Sequence, residues 1–516
     1  MPPTRRDLLI GAGMGLLAAG RPASAVARRR PEPLALARAR ARAVERPRGL
    51  IYNTDQDAMG APGAGTVRGF VAARYDPLID TQVAAIDDCA GNTMLATFRS
   101  RIAERYEDRG ERCAADTTCA AWRDNMRALT AAGHDRVRLV NAFCRRHRLE
   151  HVFSHRVNDV HDAFADWELA ELKRARPDLL LGRPGVTSDP DDPRAYWSAL
   201  DFAKPEVRGF TRRLLADVEA RYDVDGVELD FLRSTLLFAE HLRLEPATER
   251  HVALLTRMMR SIRADAYRLG TRRARPILVA VRVPATVAAC RTVGIDIERW
   301  LREGLVDLVR LAGGYMPFTE PVAPLIALAH RHDVPAHVTI SNSGLRGRLS
   351  ALEAWRGAAT NAWATGADGI MTFNLFPPGR DRRLLEIGSP RTLAGRAKVF
   401  AIEPEPVLQA QTRLGTVQKD ILPVAVPARR RLPVGDRLAR LRRARLLVRA
   451  DDPRALALRL NGAELAPASG PDDEGWTEYL PPRRALRSGD NALDLLPVGA
   501  GARTRVTGVE LHVTFD

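Results

Sequence analysis

The segment Tyr222-Asp-Val-Asp-Gly-Val-Glu-Leu-Asp-Phe-Leu-Arg233 decides the fold of this chain. Successive side chains of a β-strand point to opposite faces, so the apolar residues from Val227 to Phe231 share one face and the acids Glu228 and Asp230 share the other. An apolar face suits contact with covering helices. The two acids are then expected to point into a barrel of strands, at the carboxyl-terminal rim where barrel enzymes keep their catalytic groups.

Seven further short apolar or β-branched runs alternate with longer amphipathic stretches, a pattern typical of repeated β-α units. One such stretch, His251 to Leu269, has apolar residues at helical spacing and predicts a helix. Eight strands are the number that a closed barrel requires, so we predict an α/β fold with a (β/α)8 TIM barrel over residues 48–400. The predicted strands are Gly49 to Asn53, Val83 to Asp87, His151 to His155, Val224 to Asp230, Ile277 to Val283, Val306 to Leu311, Ala336 to Ile340 and Gly369 to Asn374.

The amino terminus has the features of a twin-arginine signal peptide. Arg5 and Arg6 precede an apolar run, Ile10 to Ala19, and Ala23-Ser-Ala25 offers a small-residue cleavage site. The run is shorter than the roughly 20 residues that a bilayer span needs. We predict a signal peptide at 1–25, export to the periplasm or the outside of the cell, and no stable membrane insertion after cleavage. Residues 26–47 are predicted to be a flexible leader rich in Arg, Ala and Pro, with order beginning near Arg48.

The composition changes after residue 400, where several prolines predict a linker over 401–435. Strict alternation follows, for example from Leu456 to Leu460, and Asn461-Gly462 is a typical hairpin turn. We therefore predict a small antiparallel β-sandwich as an accessory domain over 436–516. In this domain Trp476 and Tyr479 fit packing better than a sugar platform.

The net charge of +16 does not indicate a nucleic-acid partner, because half of it lies in the first 48 residues and only 4 of the 79 basic residues are Lys. No helix carries a basic stripe interleaved with aromatic residues. The five cysteines include Cys113 and Cys119, which are close enough in sequence to form a local disulfide in an oxidising compartment. The other three, Cys89, Cys144 and Cys290, are expected to be buried. The sequence does not indicate an oligomeric state.

Glycosidic cleavage needs one carboxylic acid to protonate the departing oxygen and one carboxylate to act as nucleophile or base. Glu228 and Asp230 are adjacent on one face, so each disfavours ionisation of the other and one can stay protonated. They form the catalytic pair or half of it, and in the second case Asp159 or Asp162, after the third strand, supplies the other half. The alternative is a buried ion pair with Arg282 or Arg233.

Polar residues also concentrate after the third predicted strand, in Phe153-Ser-His-Arg-Val-Asn-Asp-Val-His-Asp162. This density suits binding of sugar hydroxyls or of a uronic carboxylate. A metal site with His155, His161 and Asp159 as ligands is the alternative, but no fixed ligand spacing supports it, so we predict no metal and no cofactor. Arg282 interrupts an apolar strand and requires an anionic partner, either Glu228 or an acidic substrate. The predicted substrate-binding residues are Asn53, Asp55, His155, Arg156, Asn158, Asp162, Arg282, Tyr315, Asn342 and Asn374.

Four segments together resemble the glycosyl-hydrolase-like family-10 barrels, and the resemblance covers roughly residues 48–400. They are Tyr222 to Arg233, Ser154 to Asp162, Leu200 to Arg208 and Gly366 to Ile370. The resemblance implies a barrel that carries the fourth-strand acids in its active site, frequent export and a C-terminal β module. The order of the acids differs from the chitinase pattern Asp-Gly-x-Asp-x-Asp-x-Glu, which disfavours substrate-assisted chemistry on an acetamido sugar.

These features predict an exported glycoside hydrolase that acts on a polysaccharide or oligosaccharide. One alternative is a carbohydrate-binding barrel that has lost turnover, and another is a lyase or metal-dependent carbohydrate enzyme in which His155 and His161 converge on one ion. A hydrolase is expected to place two carboxyl groups about 5 to 10 Å apart across an open cleft.

Overall fold

The computed structural model describes residues 33–113, 116–404, 410–417, 420–499 and 503–516. The predicted signal peptide, residues 1–25, lies outside the described residues. Within these ranges, no helix combines the length and the apolar character that crossing a membrane requires.

Eight parallel strands close into a barrel in the order β1-β8-β7-β6-β5-β4-β3-β2. All eight predicted strands are confirmed, with ends that differ by one to two residues. The strands are β1 Leu50–Thr54, β2 Val83–Cys89, β3 Glu150–Arg156, β4 Gly226–Asp230, β5 Leu278–Val283, β6 Leu308–Leu311, β7 Ala336–Ser341 and β8 Gly369–Phe373.

Helices surround the barrel and cover the outward faces of its strands. The predicted helix His251 to Leu269 is confirmed within the longest of them, α7. The helices are α1 Leu34–Val44, α2 Val67–Arg74, α3 Thr117–Ala131, α4 Arg136–His147, α5 Glu171–Ala175, α6 Pro205–Arg221, α7 Glu249–Arg272, α8 Val287–Thr292, α9 Ile297–Arg302, α10 Ala323–His330, α11 Leu352–Ala364, α12 Arg382–Glu386, α13 Pro390–Leu393 and α14 Ala410–Arg413.

The two faces of β4 are sorted as the strand period predicts. Val227, Leu229 and Phe231 belong to the apolar core between the strands and the helices. Glu228 and Asp230 point into the barrel, where they contact side chains of β3 and β5. The barrel interior is apolar at its amino-terminal end, with Leu278 and Leu308 in contact, and charged toward its carboxyl-terminal end.

Helix α1 packs against the amino-terminal end of the barrel, and this corrects the prediction that order begins near Arg48. Ala43 and Val44 pack on the apolar layer that includes Leu278 and Leu308. Arg40 donates to Asp307 at 2.9 Å. The segment lacks an apolar period, but Ala, Leu and Arg are strong helix formers, and contacts with the barrel supply the remaining stabilisation.

The carboxyl-terminal part of the chain forms two antiparallel sheets around a second apolar core. One sheet has the order β9-β17-β12-β15, with β10 also paired to β17, and the other has the order β11-β16-β13-β14. The strands are β9 Lys398–Ala401, β10 Val424–Ala425, β11 Ala428–Val434, β12 Leu441–Ala450, β13 Leu456–Leu460, β14 Ala463–Leu465, β15 Trp476–Tyr479, β16 Gly489–Pro497 and β17 Arg505–Phe515.

The predicted linker at 401–435 and the predicted sandwich boundary at 436 are corrected by these strands. β9 already pairs with β17, and β10 and β11 lie inside the predicted linker. The prolines misled the prediction because Pro433 lies within β11, an edge strand, where a missing N–H is tolerated. Trp476 is 6% exposed, which agrees with packing rather than with a sugar platform.

The insertion between β2 and β3 packs against the end of β3. Thr93 donates its hydroxyl hydrogen to the Arg156 carbonyl, and the same hydroxyl oxygen accepts from the backbone N–H of Asp159. The predicted disulfide between Cys113 and Cys119 is present in this insertion. The other three cysteines are buried, as predicted.

Candidate active site

Glu228 lies deep in the barrel within a charged network. The Ser154 hydroxyl donates to Glu228 Oε1 at 2.7 Å. Arg310 lies between the two acids of the network, with its Nε 3.2 Å from Asp87 Oδ2 and 3.9 Å from Glu228 Oε2. Burial, together with the negative charge of Asp87, raises the pKa of Glu228 well above its usual value. A neutral Glu228 therefore fits its fully buried position.

Asp230 lies above Glu228 and forms a buried ion pair with Arg282. Arg282 donates through Nε and Nη2 to the two carboxylate oxygens of Asp230, at 2.9 and 2.8 Å. The expectation that Arg282 binds Glu228 or an acidic substrate is corrected by this contact. The carboxylate of Asp230 also accepts from the backbone N–H of Leu232 at 2.8 Å, and it thereby fixes the turn that leads to Arg233.

A cavity of about 240 Å³ lies at the barrel mouth. None of the acids Glu228, Asp230, Asp159 and Glu168 is among the residues that line it. Its lining residues are Val160, His161, Phe164, Pro190, Tyr196, Arg233, Tyr315 and Gln411.

His161 connects this cavity to a buried carboxylate. It begins the 3-10 turn His161–Ala163, and its Nδ1 lies 2.6 Å from Asp159 Oδ1. Arg156 Nη1 donates to Asp159 Oδ2 at 2.8 Å. Burial would raise the pKa of Asp159, but the charges of His161 and Arg156 outweigh it and hold the pKa well below its usual range. Asp159 is therefore ionised at neutral pH.

Glu168, at the end of the 3-10 turn Asp166–Glu168, is a second acid beside His161. Carboxylate oxygens of Asp159 and Glu168 and a ring nitrogen of His161 all lie within 4.8 Å of one another. Burial, together with the negative charge of Asp159, raises the pKa of Glu168 to about 7. Two neighbouring carboxyl groups thus have pKa values on opposite sides of their usual range, which is the pattern of an acid-base pair.

These three side chains have the donor types of a metal site, but two guanidinium groups adjoin them. Arg156 donates to Asp159, and Arg233 contacts Nε2 of His161. Positive charge already lies against these donors, so we interpret the cluster as a proton-handling site. His155 does not join it, because the register aligns His155 with Leu229 on the face toward the helices. This register contradicts the alternative in which His155 and His161 converge on one ion.

Asp55 and Arg156 are the predicted binding residues that belong to the same network. Arg156 bridges Asp55 and Asp159, with its Nη2 2.5 Å from Asp55 Oδ2. Burial opposes ionisation of Asp55, but the positive charge of Arg156 lowers its pKa below the usual value. Tyr315 lines the cavity, and its ring lies 5.1 Å from the guanidinium carbon of Arg233.

Of the predicted substrate-binding residues, Tyr315 alone is among the described residues that line the cavity, and the others have contacts elsewhere. The amide of Asn158 joins two loops through hydrogen bonds to the backbone of Leu200 and Leu236, and Asp162 binds Lys173 and Ser198. Both side chains are buried and engaged in structural contacts. The other residues of this group also form hydrogen bonds within the protein. Asn53 Nδ2 donates to the Asp87 carbonyl at 3.2 Å, and Asn374 Nδ2 donates to Ser343 Oγ at 3.0 Å. The backbone N–H of Asn342 donates to the Phe373 carbonyl at 2.9 Å.

Sequence reasoning missed Glu168, Tyr196 and Gln411 as site residues. Glu168 and Tyr196 lie in 3-10 turns and Gln411 lies in the four-residue helix α14, all too short to show a period in the sequence, so no pattern marked them. Arg233 ends the quoted β4 segment, but it was considered only as an ion-pair partner for the acids. Its position three residues beyond Asp230, just past the strand end, is the signal that could have placed it at the mouth.

No family model matches this chain, and no curated protein matches it. Among solved structures, the PgaB (BpsB) glycoside hydrolase domain from Bordetella bronchiseptica is 12% identical, with a TM-score of 0.41 over 63% of this chain and 93% of that chain. A glycoside hydrolase family 18 N-acetylglucosaminidase from Paenibacillus barengoltzii is 12% identical, with a TM-score of 0.35 over 65% of this chain and 97% of that chain. These likenesses are too weak to carry a functional argument. The resemblance to the glycosyl-hydrolase-like family-10 barrels stays a prediction.

Proposed function

We propose that this protein is a glycoside hydrolase that cleaves a polysaccharide or oligosaccharide at the carboxyl-terminal mouth of its barrel. The observation that carries the proposal is the pair formed by Asp159 and Glu168. Their carboxylate oxygens lie within 4.8 Å, and their pKa values are shifted in opposite directions. Both acids are buried behind His161, which is the residue of this cluster that lines the mouth cavity. Glycosidic cleavage requires one protonated and one ionised carboxyl group.

In this proposal Glu168 is the general acid and Asp159 is the base or nucleophile. Glu168 keeps its proton up to a pH of about 7 and can donate it to the departing glycosidic oxygen. Asp159 is ionised and orients His161, whose imidazole lines the cavity. The short separation of the two acids favours retention of configuration, because inverting enzymes leave about 6.5 to 9.5 Å between their carboxyl groups.

In this proposal Asp230 and Glu228, the acids of β4, hold other residues in place and do not contact the substrate. The ion pair of Asp230 with Arg282 and the hydrogen bond from Leu232 hold the turn that carries Arg233. Glu228 is held protonated in the barrel centre, where it accepts from Ser154, and Asp87 supplies the charge that pairs with Arg310. This assignment replaces Glu228 and Asp230 as catalytic candidates and keeps Asp159.

Export is proposed from the amino-terminal pattern of residues 1–25, which places the enzyme in the periplasm or outside the cell. A carbohydrate is the proposed partner. A glycan outside the cytoplasm is the kind of substrate that an exported hydrolase meets.

The test is a screen of the protein without residues 1–25 against neutral and acidic polysaccharides, with release of reducing ends as the readout. Glu168→Gln and Asp159→Asn are each expected to lower kcat by a factor of about 100 or more. Glu206→Gln, an exposed acid on α6, is the matched control and should cleave as the wild type does. Unimpaired cleavage by both site variants would exclude this acid pair, and absence of cleavage of every glycan would exclude the hydrolase assignment.

A lyase is the second candidate, and the contact between Arg233 and His161 at the cavity favours it. In a uronic acid, a base removes the C5 proton, a C4=C5 double bond forms as the C4–O bond breaks, and the departing oxygen takes up a proton to become a hydroxyl group. Arg233 would neutralise the carboxylate and His161 would take the proton. The product of a lyase absorbs ultraviolet light because of its new double bond, whereas hydrolysis yields a reducing end without this absorption.

A further inference from the structure

The guanidinium of Arg233 is a buried donor group at the mouth cavity. Arg233 is 5% exposed and lines the cavity, and its Nη2 contacts Nε2 of His161. Among the described residues, its Nε and Nη1 have no hydrogen-bond partner. Asp159 Oδ2 is 3.7 Å from the Nε, which is beyond hydrogen-bond distance. Unsatisfied buried N–H groups of a charged side chain are costly, so this position calls for an acceptor from a ligand.

The charges around Arg233 leave room for an anion. Asp159 binds Arg156 and His161 and lies at ion-pair distance from Arg233, 3.7 Å, without a hydrogen bond to it, while Asp55 binds Arg156. No Asp or Glu is among the eight residues that line the cavity in the described part of the chain. A negative ligand group at Arg233 would therefore meet no carboxylate on the cavity wall.

The walls of the cavity suit a sugar ring. The guanidinium carbon of Arg233 lies 5.1 Å from the centroid of the Tyr315 ring, so one face of the guanidinium is covered and ligands approach its edge. Phe164 and Tyr196 pack edge to face at 5.3 Å and add apolar surface. The volume of about 240 Å³ is below the roughly 300 to 1,000 Å³ of drug-sized sites, so it matches one sugar unit rather than a whole chain.

We infer that Arg233 binds the carboxylate of a uronic acid unit, and that the substrate of this protein is an acidic glycan. The inference rests on the proposed function for the statement that the ligand is a glycan. Arginine recognises carboxylates through charge-assisted hydrogen bonds, which are stronger than hydrogen bonds between neutral groups. A sulfate ester would supply the same negative charge, and the experiment separates the two groups.

The experiment measures binding by calorimetry with the Glu168→Gln variant, in which turnover is expected to be slowed by a factor of about 100 or more. The probes are a uronic acid oligosaccharide, a neutral glucose oligosaccharide of the same linkage and length, and a sulfated neutral oligosaccharide. The uronic probe is expected to bind about 10 to 100 times more tightly than the neutral probe. Equal affinity for these two probes would overturn the inference, and preferred binding of the sulfated probe would overturn the assignment to a carboxylate.

Variants of Arg233, made in the Glu168→Gln background, test whether this arginine causes the tighter binding of the uronic probe. Arg233→Gln should remove the preference for the uronic probe and leave binding of the neutral probe unchanged, while Arg233→Lys should keep part of it because the charge remains. Arg302→Gln, an exposed arginine on α9, is the matched control and should keep the full preference. Thermal unfolding establishes that the variants fold, and Arg233→Lys carries the test if Arg233→Gln does not fold. A preference that survives loss of Arg233 overturns the inference.

Failure of this inference and failure of the proposed function give different results. If the uronic probe binds tightly but the wild type cleaves no glycan, the hydrolase assignment is wrong and the acidic subsite is supported. If the wild type cleaves neutral glycans and shows no preference for acidic ones, the acidic subsite is wrong and the hydrolase assignment is supported.

Discussion

Arg282 donates through Nε and Nη2 to both carboxylate oxygens of Asp230, at 2.9 and 2.8 Å, below the cavity at the barrel mouth. The guanidinium of Arg282 also lies 4.3 Å from the ring centroid of Phe373. The contacts tie β5 to β4 on one side and to β8 across the barrel. Because Asp230 also holds the backbone N–H of Leu232, the ion pair links the barrel interior to the turn that carries Arg233.

Asp230→Asn is expected to lower the free energy of unfolding by about 3 to 5 kcal/mol, since it leaves the buried charge of Arg282 uncompensated. Urea denaturation measures the change. The double variant Asp230→Leu with Arg282→Met should recover most of the loss, because it removes both charges. If the double variant is stable and loses more kcat than Arg233→Gln does, then Asp230 acts by more than holding the turn that carries Arg233, and the positioning role is wrong.

The barrel could be predicted from the sequence because its strands are short apolar runs with a clear period. The face on which Glu228 and Asp230 lie followed from the same period, and the structure agrees. The period says which way a side chain points but not which partner it meets. The ion pair of Asp230 with Arg282 depends on the register of two adjacent strands, and the contact of Glu228 with Arg310 joins strands that are not adjacent in the barrel.

The mouth was less predictable because connecting segments form it. Asp159 was named as a catalytic candidate, but its partner Glu168 lies in a loop without periodicity. Asn158 and Asp162 looked like ligand-binding groups, whereas the structure uses them to hold loops together. Polar residues after a strand therefore mark the rim correctly, and only the packing of loops decides which of them face the cavity.

Glu219→Gln is expected to stabilise the protein at alkaline pH. Both carboxylate oxygens of Glu219 are buried without a hydrogen-bond partner in the described structure, and burial raises its pKa to about 8, with Asp265 adding to the shift. The folded state therefore prefers the protonated acid, and stability is lost as the pH rises from the unfolded pKa of about 4.5 toward 8. At pH 8 the variant should gain about 1 to 3 kcal/mol in free energy of unfolding.

The gain from Glu219→Gln should vanish near pH 4, where the wild-type acid is already protonated. Thermal unfolding at both pH values measures this. The exposed Glu206→Gln serves as the control and should show no such pH dependence. A gain of equal size at pH 4 and pH 8 would exclude ionisation of Glu219 as its cause.

The disulfide between Cys113 and Cys119 is expected to contribute about 2 kcal/mol, because the loop that it closes is short and the loss of unfolded-state entropy grows with loop length. The double variant Cys113→Ser with Cys119→Ser should lower the free energy of unfolding by this amount. A reducing agent should destabilise the wild type equally and leave the double variant unchanged. Equal sensitivity of both proteins to the reducing agent would contradict the prediction.

Removal of α1 is expected to destabilise the barrel. A chain that begins at residue 48 loses the packing of Ala43 and Val44 on the apolar layer of Leu278 and the ion pair of Arg40 with Asp307. A chain that begins at residue 33 keeps these contacts and is the control. The free energy of unfolding of the shorter chain should be lower by about 2 to 5 kcal/mol, and urea unfolding should show this as a lower midpoint. Equal midpoints would mean that α1 contributes nothing to the stability of the barrel.

The pH dependence of cleavage is expected to report the two acids of the mouth. Glu168 has a pKa of about 7, so its protonated form is present below that pH and is lost above it, and kcat/KM should fall on the alkaline side with a midpoint near 7. The pKa of Asp159 is held well below its usual range, so Asp159 stays ionised and kcat/KM should not fall on the acidic side until far below pH 4. Initial rates between pH 4 and 9 measure the profile. The residual activity of Glu168→Gln should lack the alkaline decline, whereas Glu206→Gln should keep it. An alkaline decline near pH 7 that persists in Glu168→Gln would assign the proton to another group, and His161, which lines the same cavity, would be the next residue to test.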